Sequence, residues 1–373
     1  MTPATTALTD VEDVRSDVAA LLDAHLRGLG DELEEHGGEA RALVGALSEM
    51  VEGGKRLRPA FCYWSWRAHR GADDAADGRA VDRRTVLRVG AALELFQAAA
   101  LFHDDVMDGS DTRRGRPAAH RRFEATHRAQ GWLGPSVPFG EAAAILLGDL
   151  ALVASEREFA DAVGGAPTQT LAAARAVFDR MRSEVTVGQY LDVLGQALPW
   201  GDGAQDEVRA RAVVRAKSAR YSVEHPVVLG AVLAGAGPDA VARCRRDALA
   251  LGEAFQLRDD VLGVFGDPAA TGKPAGDDLR EGKRTVLVAR AVQLATDADR
   301  TTLLDRLGRR DLDDDDVALL REILRRSGAL AAVETMIEDL AGPALRSLAA
   351  APLAEPGRTM LVRLGEAAVD RHA

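Results

Sequence analysis

Two clusters of aspartate stand where carboxylates are costly. The first, Asp104, Asp105 and Asp108, lies in LFHDDVMDGSDTRRGRP (101–117), where the apolar run LELFQAAALF ends. The second, Asp259 and Asp260, is embedded in the apolar stretch FQLRDDVLGVFGD (255–267). Asp104 and Asp108 are four residues apart, so on a helix they share one face, and like charges there destabilise unless a cation neutralises them. Carboxylates without a thiolate or imidazole cluster suit a hard ion such as Mg2+. That ion takes one or two carboxylates, keeps water and completes its shell with phosphate oxygens. GGKRLRP (53–59) adds Lys55 and Arg58, and DTRRGRP (111–117) adds Arg113 and Arg114. Guanidinium forks grip phosphate oxygens bidentately, and lysine acts on them as a point charge. Together these are the components of a site that holds a diphosphate. The other acidic groups read differently: Asp73-Asp74 falls in a polar loop, and Asp313 to Asp316 precede an apolar helix as a charged cap would.

Such side chains need rigid elements behind them. Hydrophobic residues make up 47% of the 373-residue chain and aromatics 4%, so the apolar set is mostly Ala, Leu and Val, which favours helices over strands. Val14, Val18, Leu21 and Leu22 recur at helical spacing within 11–50. Thr85 to Asp108 reads as one long helix with Val89, Ala92, Leu93, Phe96 and Ala100 on a common side. Loops are expected at 71–80, 131–140, 197–205 and 267–283, and helices over 168–196, 206–235, 238–266 and from 284 onward. No sustained period-two alternation occurs, so the fold is expected to be all-α, with a flexible tail over 1–10 and a single domain over 11–373.

A formal charge of −11 argues against a general nucleic-acid binder. Two cysteines, Cys62 and Cys244, offer no disulfide framework and suit a reducing cytoplasm. The N-terminus is polar and acidic, and no uninterrupted apolar run reaches about 18 residues, so neither a signal peptide nor a transmembrane segment is expected. The chain has no Asn. Lysine occurs only at Lys55, Lys217, Lys273 and Lys283, among 47 Lys and Arg residues.

Six segments, GGKRLRP, DDVMDGSDTRRGRP, GQYLD (188–192), KSARYS (217–222), FQLRDDVLGVFGD and GKPAGDDLREGK (272–283), occur in the order seen in the trans-type isoprenyl diphosphate synthases. The chain resembles that polyprenyl synthetase family over nearly its whole length, and most of all its geranylgeranyl diphosphate synthases. The resemblance implies a bundle of antiparallel helices around a central substrate cavity, and a homodimer. It also implies a Mg2+-dependent condensation of isopentenyl diphosphate with an allylic diphosphate (dimethylallyl, geranyl or farnesyl).

By the same resemblance, Asp104 and Asp108 would bind two Mg2+ ions and Asp259 a third, with Mn2+ as a substitute, while Asp105 and Asp260 support those shells. Arg113, Lys217 and Lys273 would hold the allylic diphosphate, with Lys283 closing the site from a loop. Lys55, Arg58, Gln97 and Arg114 would bind isopentenyl diphosphate. Ser218, Tyr221, Phe255 and Gln256 would line the reacting centre, with Gln189 and Asp192 nearby. One departure stands out: Gly263 replaces the third acid of the second motif, and Asp267 is a nearby acid that could compensate.

In the family, bulky residues four or five positions before the first aspartate stop the chain at C15. Here Ala100 and Ala99 are small, and Phe96 is the first bulky group on that face, which points to a C20 product over C15 or C25 and longer. Three rivals are weaker. A class I terpene cyclase would carry a second metal motif usually written with Asn. A di-iron bundle would need two E-x-x-H pairs, and Glu124/His127 is the one present. A non-catalytic synthase subunit would be expected to lose the metal aspartates that this chain keeps.

Overall fold

The structure is a computed structural model describing residues 8–70, 81–201, 203–266, 276–309 and 311–370. Residues 1–7 of the expected tail, Asp73-Asp74, Asp267 and Lys273 lie outside the described residues.

Helices α1 (Val14–Glu32), α2 (Gly38–Val51) and α3 (Leu57–Arg70) lead to the long α4 (Arg83–Met107). After a hairpin come α5 (Ala119–Ala129), α6 (Ser136–Val163), α7 (Thr168–Ala197) and α8 (Gly203–Val213). A π-helix, Val214–Glu224, then runs into α9 (His225–Leu233) and α10 (Pro238–Phe265). The remainder is α11 (Asp277–Glu281), α12 (Val286–Leu294), α13 (Asp297–Arg306), α14 (Asp314–Arg326), α15 (Ala329–Ala350) and α16 (Gly357–Val369). The fold is an all-α bundle, as composition led one to expect.

Helix starts follow local chemistry. Asp82 Oδ1 accepts from the Thr85 amide at 2.8 Å to open α4, and Asp313 does the same for Asp316 at 2.8 Å, the capping role expected of that acidic run. α4 is the central element: it packs along α6, and Ser155 Oγ donates to the Ala92 carbonyl at 2.7 Å across that seam. α9 is buried at all nine positions, pressed against α3. α10 lies between the π-helix and α15.

Three local departures from the helical pattern have physical causes. The 11–50 stretch divides at Gly37, whose φ of 86° a residue with Cβ adopts poorly. The expected 131–140 loop ends early because α6 begins at Ser136, and Pro138 in its first turn needs no amide donor. Strands β1 (Thr112–Arg113) and β2 (Arg116–Pro117) form a minimal antiparallel hairpin that period-two patterning is too short to show. Its turn is Arg114-Gly115, with φ of 53° and 74°, the left-handed pair that a two-residue hairpin needs.

Two helices are long and apolar enough to cross a membrane by length and composition, α4 and α6. In α4, 72% of that apolar window is buried within the bundle, whereas in α6 the share is 33%. α4 is thus core, and α6 carries an outward apolar face.

One buried titratable group sets a pH limit on the bundle. His225 is fully buried, and its Nε2 lies 2.8 Å from Glu184 Oε2. Burial pushes its pKa down to about 4 despite that carboxylate. As pH falls below the ordinary histidine value of 6.5, the unfolded chain takes up a proton that the folded one refuses, so stability declines between about 6.5 and 4. The loss amounts to about 3 kcal/mol. Urea titrations should show this slope in the wild type and a flatter one in His225→Gln; equal slopes would remove His225 as the cause.

Candidate active site

Asp104 lies in the last turn of α4 and Asp108 caps it. Asp104 Oδ1 accepts from Lys217 Nζ at 2.8 Å and from Gln189 Nε2 at 3.1 Å, while Lys217 Nζ also meets Asp192 Oδ2 at 2.6 Å. That meeting requires α7 to touch the π-helix backbone. A Cβ on Gly188 would stand 2.4 Å from the Lys217 backbone nitrogen, so the glycine of GQYLD is what lets Asp192, one turn on, reach the ammonium. The hairpin turns Arg113 back onto α4: its Nε donates to Asp105 Oδ1 at 2.8 Å, its Nη2 reaches the same oxygen, and Asp104 Oδ2 is 3.5 Å away. Lys283 Nζ lies 2.8 Å from Glu281 Oε2, 3.2 Å from Asp108 Oδ2 and 3.7 Å from Asp278 Oδ1. Three cations therefore ring the first aspartate motif.

The electrostatics follow from that ring. Burial alone would raise the pKa of Asp104, but the charges of Lys217, Lys283 and Arg113 overcome it and hold the carboxyl well below its usual range. Asp108 moves the other way, raised by burial and by the neighbouring Asp104 charge against the pull of Lys283. Burial works against the charge on Lys283, yet Asp278, Asp108 and Glu281 hold it well above an ordinary lysine.

The donor set suits Mg2+. Apart from its 3.2 Å ion pair with Lys283, the buried Asp108 Oδ2 accepts no hydrogen bond among the described residues. No group of three His, Cys, Asp or Glu side chains among those residues converges to enclose an ion by itself. An ion held here would take carboxylates singly and draw its remaining oxygens from water and phosphate, which is Mg2+ behaviour.

The second motif lies on α10. Asp260 is buried and accepts from Gln256 Nε2 at 2.8 Å; burial raises it well above an ordinary aspartate, with the Asp278 and Asp259 charges adding to that. Asp259 is exposed, and Phe255 and Ser218 are half-buried. Lys283 links the two motifs, since it meets Asp108 on one side and Asp278, next to α10, on the other.

A second basic group gathers at the start of α3. Arg58 Nη2 donates to Ser222 Oγ at 2.8 Å, and its guanidinium lies 4.0 Å from the Tyr221 ring centroid. Phe96 is 3% exposed and meets Tyr221 edge-on at 5.7 Å. Arg114 reaches the carbonyls of Met50 at 2.9 Å and Glu52 at 3.3 Å, which brings it to the Lys55 loop. Burial lowers the pKa of Arg114, with Arg56, Arg113 and Arg58 as like charges beside it. Gln97 is half-buried two turns before Asp104 on the same face of α4. Ala99 is fully buried and Ala100 half-buried.

Sequence reasoning missed several supports. Arg56, buried in a left-handed conformation (φ 50°), donates to Glu94 at 2.5 Å and to the Val51 carbonyl, which pins the Lys55 loop to α4. The arginine-rich motif hid it among its neighbours. Asp278 and Glu281 sit within the quoted GKPAGDDLREGK but were given no role, because one-turn helices leave no periodic signal. Glu124, by contrast, is engaged by Arg121 at 3.0 Å and by Arg128, and His127 Nε2 lies 3.1 Å from the Leu133 carbonyl, so that E-x-x-H pair is structural.

An all-α bundle whose first aspartate motif is ringed by lysine and arginine, and tied to a second through one ammonium, belongs to a diphosphate-handling class of helical enzyme. The chain is a member of the polyprenyl synthetase family of trans-isoprenyl diphosphate synthases, whose model, Polyprenyl synthetase, matches residues 40–324. It is a trans-prenyltransferase that condenses isoprenoid units into a polyprenyl diphosphate. A geranylfarnesyl diphosphate synthase of Aeropyrum pernix is 33% identical over 77% of this chain and 81% of its own. A geranylgeranyl diphosphate synthase of Mycobacterium tuberculosis is 32% identical over 77% and 73%. A geranylgeranyl pyrophosphate synthase of Corynebacterium glutamicum, solved with isoprenyl diphosphate and magnesium, is 37% identical with a TM-score of 0.89. The match covers 96% of this chain and 99% of that one.

Proposed function

We propose that the chain makes geranylgeranyl diphosphate, C20, by adding isopentenyl diphosphate to an allylic diphosphate in the cytoplasm. The observation that carries the chain length is the pair of small residues, Ala99 and Ala100, five and four positions before Asp104. Relatives of both C20 and C25 name match at similar identity, so wall residues outweigh likeness here.

Asp104, Asp108 and Asp259 would hold Mg2+, three ions when a diphosphate is present, which draw negative charge from the leaving diphosphate. The chain's own part is positional and electrostatic. Lys217, Arg113 and Lys283, with Lys273 added from outside the described residues, grip the oxygens of the allylic diphosphate and stabilise the charge that develops as its C–O bond breaks. Lys55, Arg58, Gln97 and Arg114 hold isopentenyl diphosphate so that its double bond faces the allylic carbon. The electron pair of that double bond forms the new C–C bond, the C–O pair leaves with diphosphate, and a proton lost to that diphosphate restores the alkene. Tyr221, Ser218, Phe255 and Gln256 shape the apolar surroundings of this step, while from α7 Asp192 fixes Lys217 and Gln189 holds Asp104. Asp105 and Asp260 orient the partners of the metal aspartates.

The test is a product assay with isopentenyl diphosphate and C5, C10 or C15 primers, with and without Mg2+ or Mn2+. C20 should accumulate only with metal; C15 or C25 and longer as the main product would replace the chain-length reading, and no metal-dependent elongation would remove the whole one.

The outward face of α6 supports a homodimer. Ile145, Leu146 and Val153 on that helix are exposed, and α7 adds Val187, Tyr190 and Val193. An apolar face of this length is one that a second copy would cover by two-fold symmetry. Sedimentation equilibrium should return a dimer for the wild type and a monomer for Leu146→Arg/Val153→Arg. A monomeric wild type would end this assignment.

A further inference from the structure

The second aspartate motif lacks its third acid, because Gly263 stands in that place. Asp267, the compensating acid suggested by sequence, lies outside the described residues. The space beside Gly263 is nevertheless filled. A Cβ on Gly263 would lie 1.9 Å from Asp278 Oδ2 and 2.7 Å from Asp278 Cγ. The carboxylate of Asp278 therefore sits where a side chain at position 263 would begin.

The segment that delivers it is fixed in place. α11 is a single turn bracketed by Gly276 and Gly282, both at left-handed φ (78° and 73°), and Leu279 within it is fully buried. The Gly308 amide donates to the Leu279 carbonyl at 2.9 Å, and the Lys283 amide donates to the Asp278 carbonyl at 3.0 Å. A Cβ at Gly276 would meet Val317 at 2.5 Å, so the turn packs closely against α14. Lys283 Nζ, 3.7 Å from Asp278 Oδ1 and 3.2 Å from Asp108 Oδ2, shows that Asp278 lies on the side of α10 that faces the first motif.

We propose that Asp278 supplies the third carboxylate of the second motif from a different helix, and that Gly263 is the space that admits it. In this role Asp278 is a positioning residue. It orients the water and phosphate oxygens around the ion at Asp259, and it holds Lys283 for release to an incoming diphosphate. The inference rests on the metal–diphosphate reading above and adds to it the source of the missing acid.

Mn2+ titration with inorganic pyrophosphate, followed by electron paramagnetic resonance, reads the site without turnover. Wild type should bind three ions per protomer. Asp278→Asn should lose one ion or require about tenfold more Mn2+ for it, with isopentenyl diphosphate binding measured without metal unchanged. The exchange variant Gly263→Asp/Asp278→Ala should restore the third ion, whereas Gly263→Asp alone, which sets two carboxylates in one space, should not. Asp278→Asn with wild-type stoichiometry and affinity would overturn the proposal, as would failure of the exchange variant if circular dichroism shows that it is folded. A wild type that binds no Mn2+ with pyrophosphate would instead remove the functional reading beneath it, so the two failures are distinct.

Discussion

Asp104→Asn is expected to lower kcat for prenyl transfer by about a thousandfold, on the order of 4 kcal/mol of transition-state stabilisation. The substitution keeps the shape of the side chain and removes one charge. Lys217 keeps Asp192 at 2.6 Å and Arg113 keeps Asp105, so neither half-buried cation is stranded and the fold should hold. What is lost is a carboxylate held well below its usual range, one that stays ionised against burial because three cations face it. Steady-state rates at saturating Mg2+, with a far-UV spectrum as control, decide the matter. More than a tenth of wild-type kcat would mean that Asp104 is not the metal carboxylate.

Ala100→Phe should change the product, shifting it from C20 to C15 with little loss of rate. At about 1.5 Å per residue, position 100 lies roughly 6 Å below Asp104 along α4, so a ring there meets the growing chain early. Ala100 is the better position to fill, because it is half-buried and so has room beside it. Ala99 is fully buried, and a ring there would overpack the helix seam at a cost of about 1–3 kcal/mol. The companion change, Phe96→Ala, should lengthen the product. It carries a stability cost of about 3–5 kcal/mol, since that ring is 3% exposed and packs against Tyr221. Chromatography of the dephosphorylated products reads both, and an unchanged distribution in Ala100→Phe would show that α4 does not line the path.

The helices were legible because Ala- and Leu-rich segments repeat at 3.6 residues and because caps such as Asp82 and Asp313 are written locally. The local chemistry of Asp104 and Asp108 was legible for a similar reason, since four residues on a helix is one turn. What the sequence left dark was non-local or short. The Arg113 hairpin is only two residues deep on each side, below any periodic signal. The Arg56–Glu94 pair spans 38 residues and depends on how α3 meets α4. Asp278 could not have been assigned by pattern, because its meaning lies in the empty side-chain space of Gly263, fifteen residues earlier and on another helix.

Lysine placement has a practical corollary. Lys217 and Lys283 are paired with active-site aspartates, Lys55 lies in the loop before α3, and nearly all remaining positive charge is guanidinium. To chemistry that distinguishes primary amines from guanidinium, the outer surface is almost silent. Lys217 and Lys283 are held protonated by the carboxylates beside them, so an amine-selective acylating reagent would leave most of the chain unmarked, and faster labelling of those two would register the loss of their aspartate contacts.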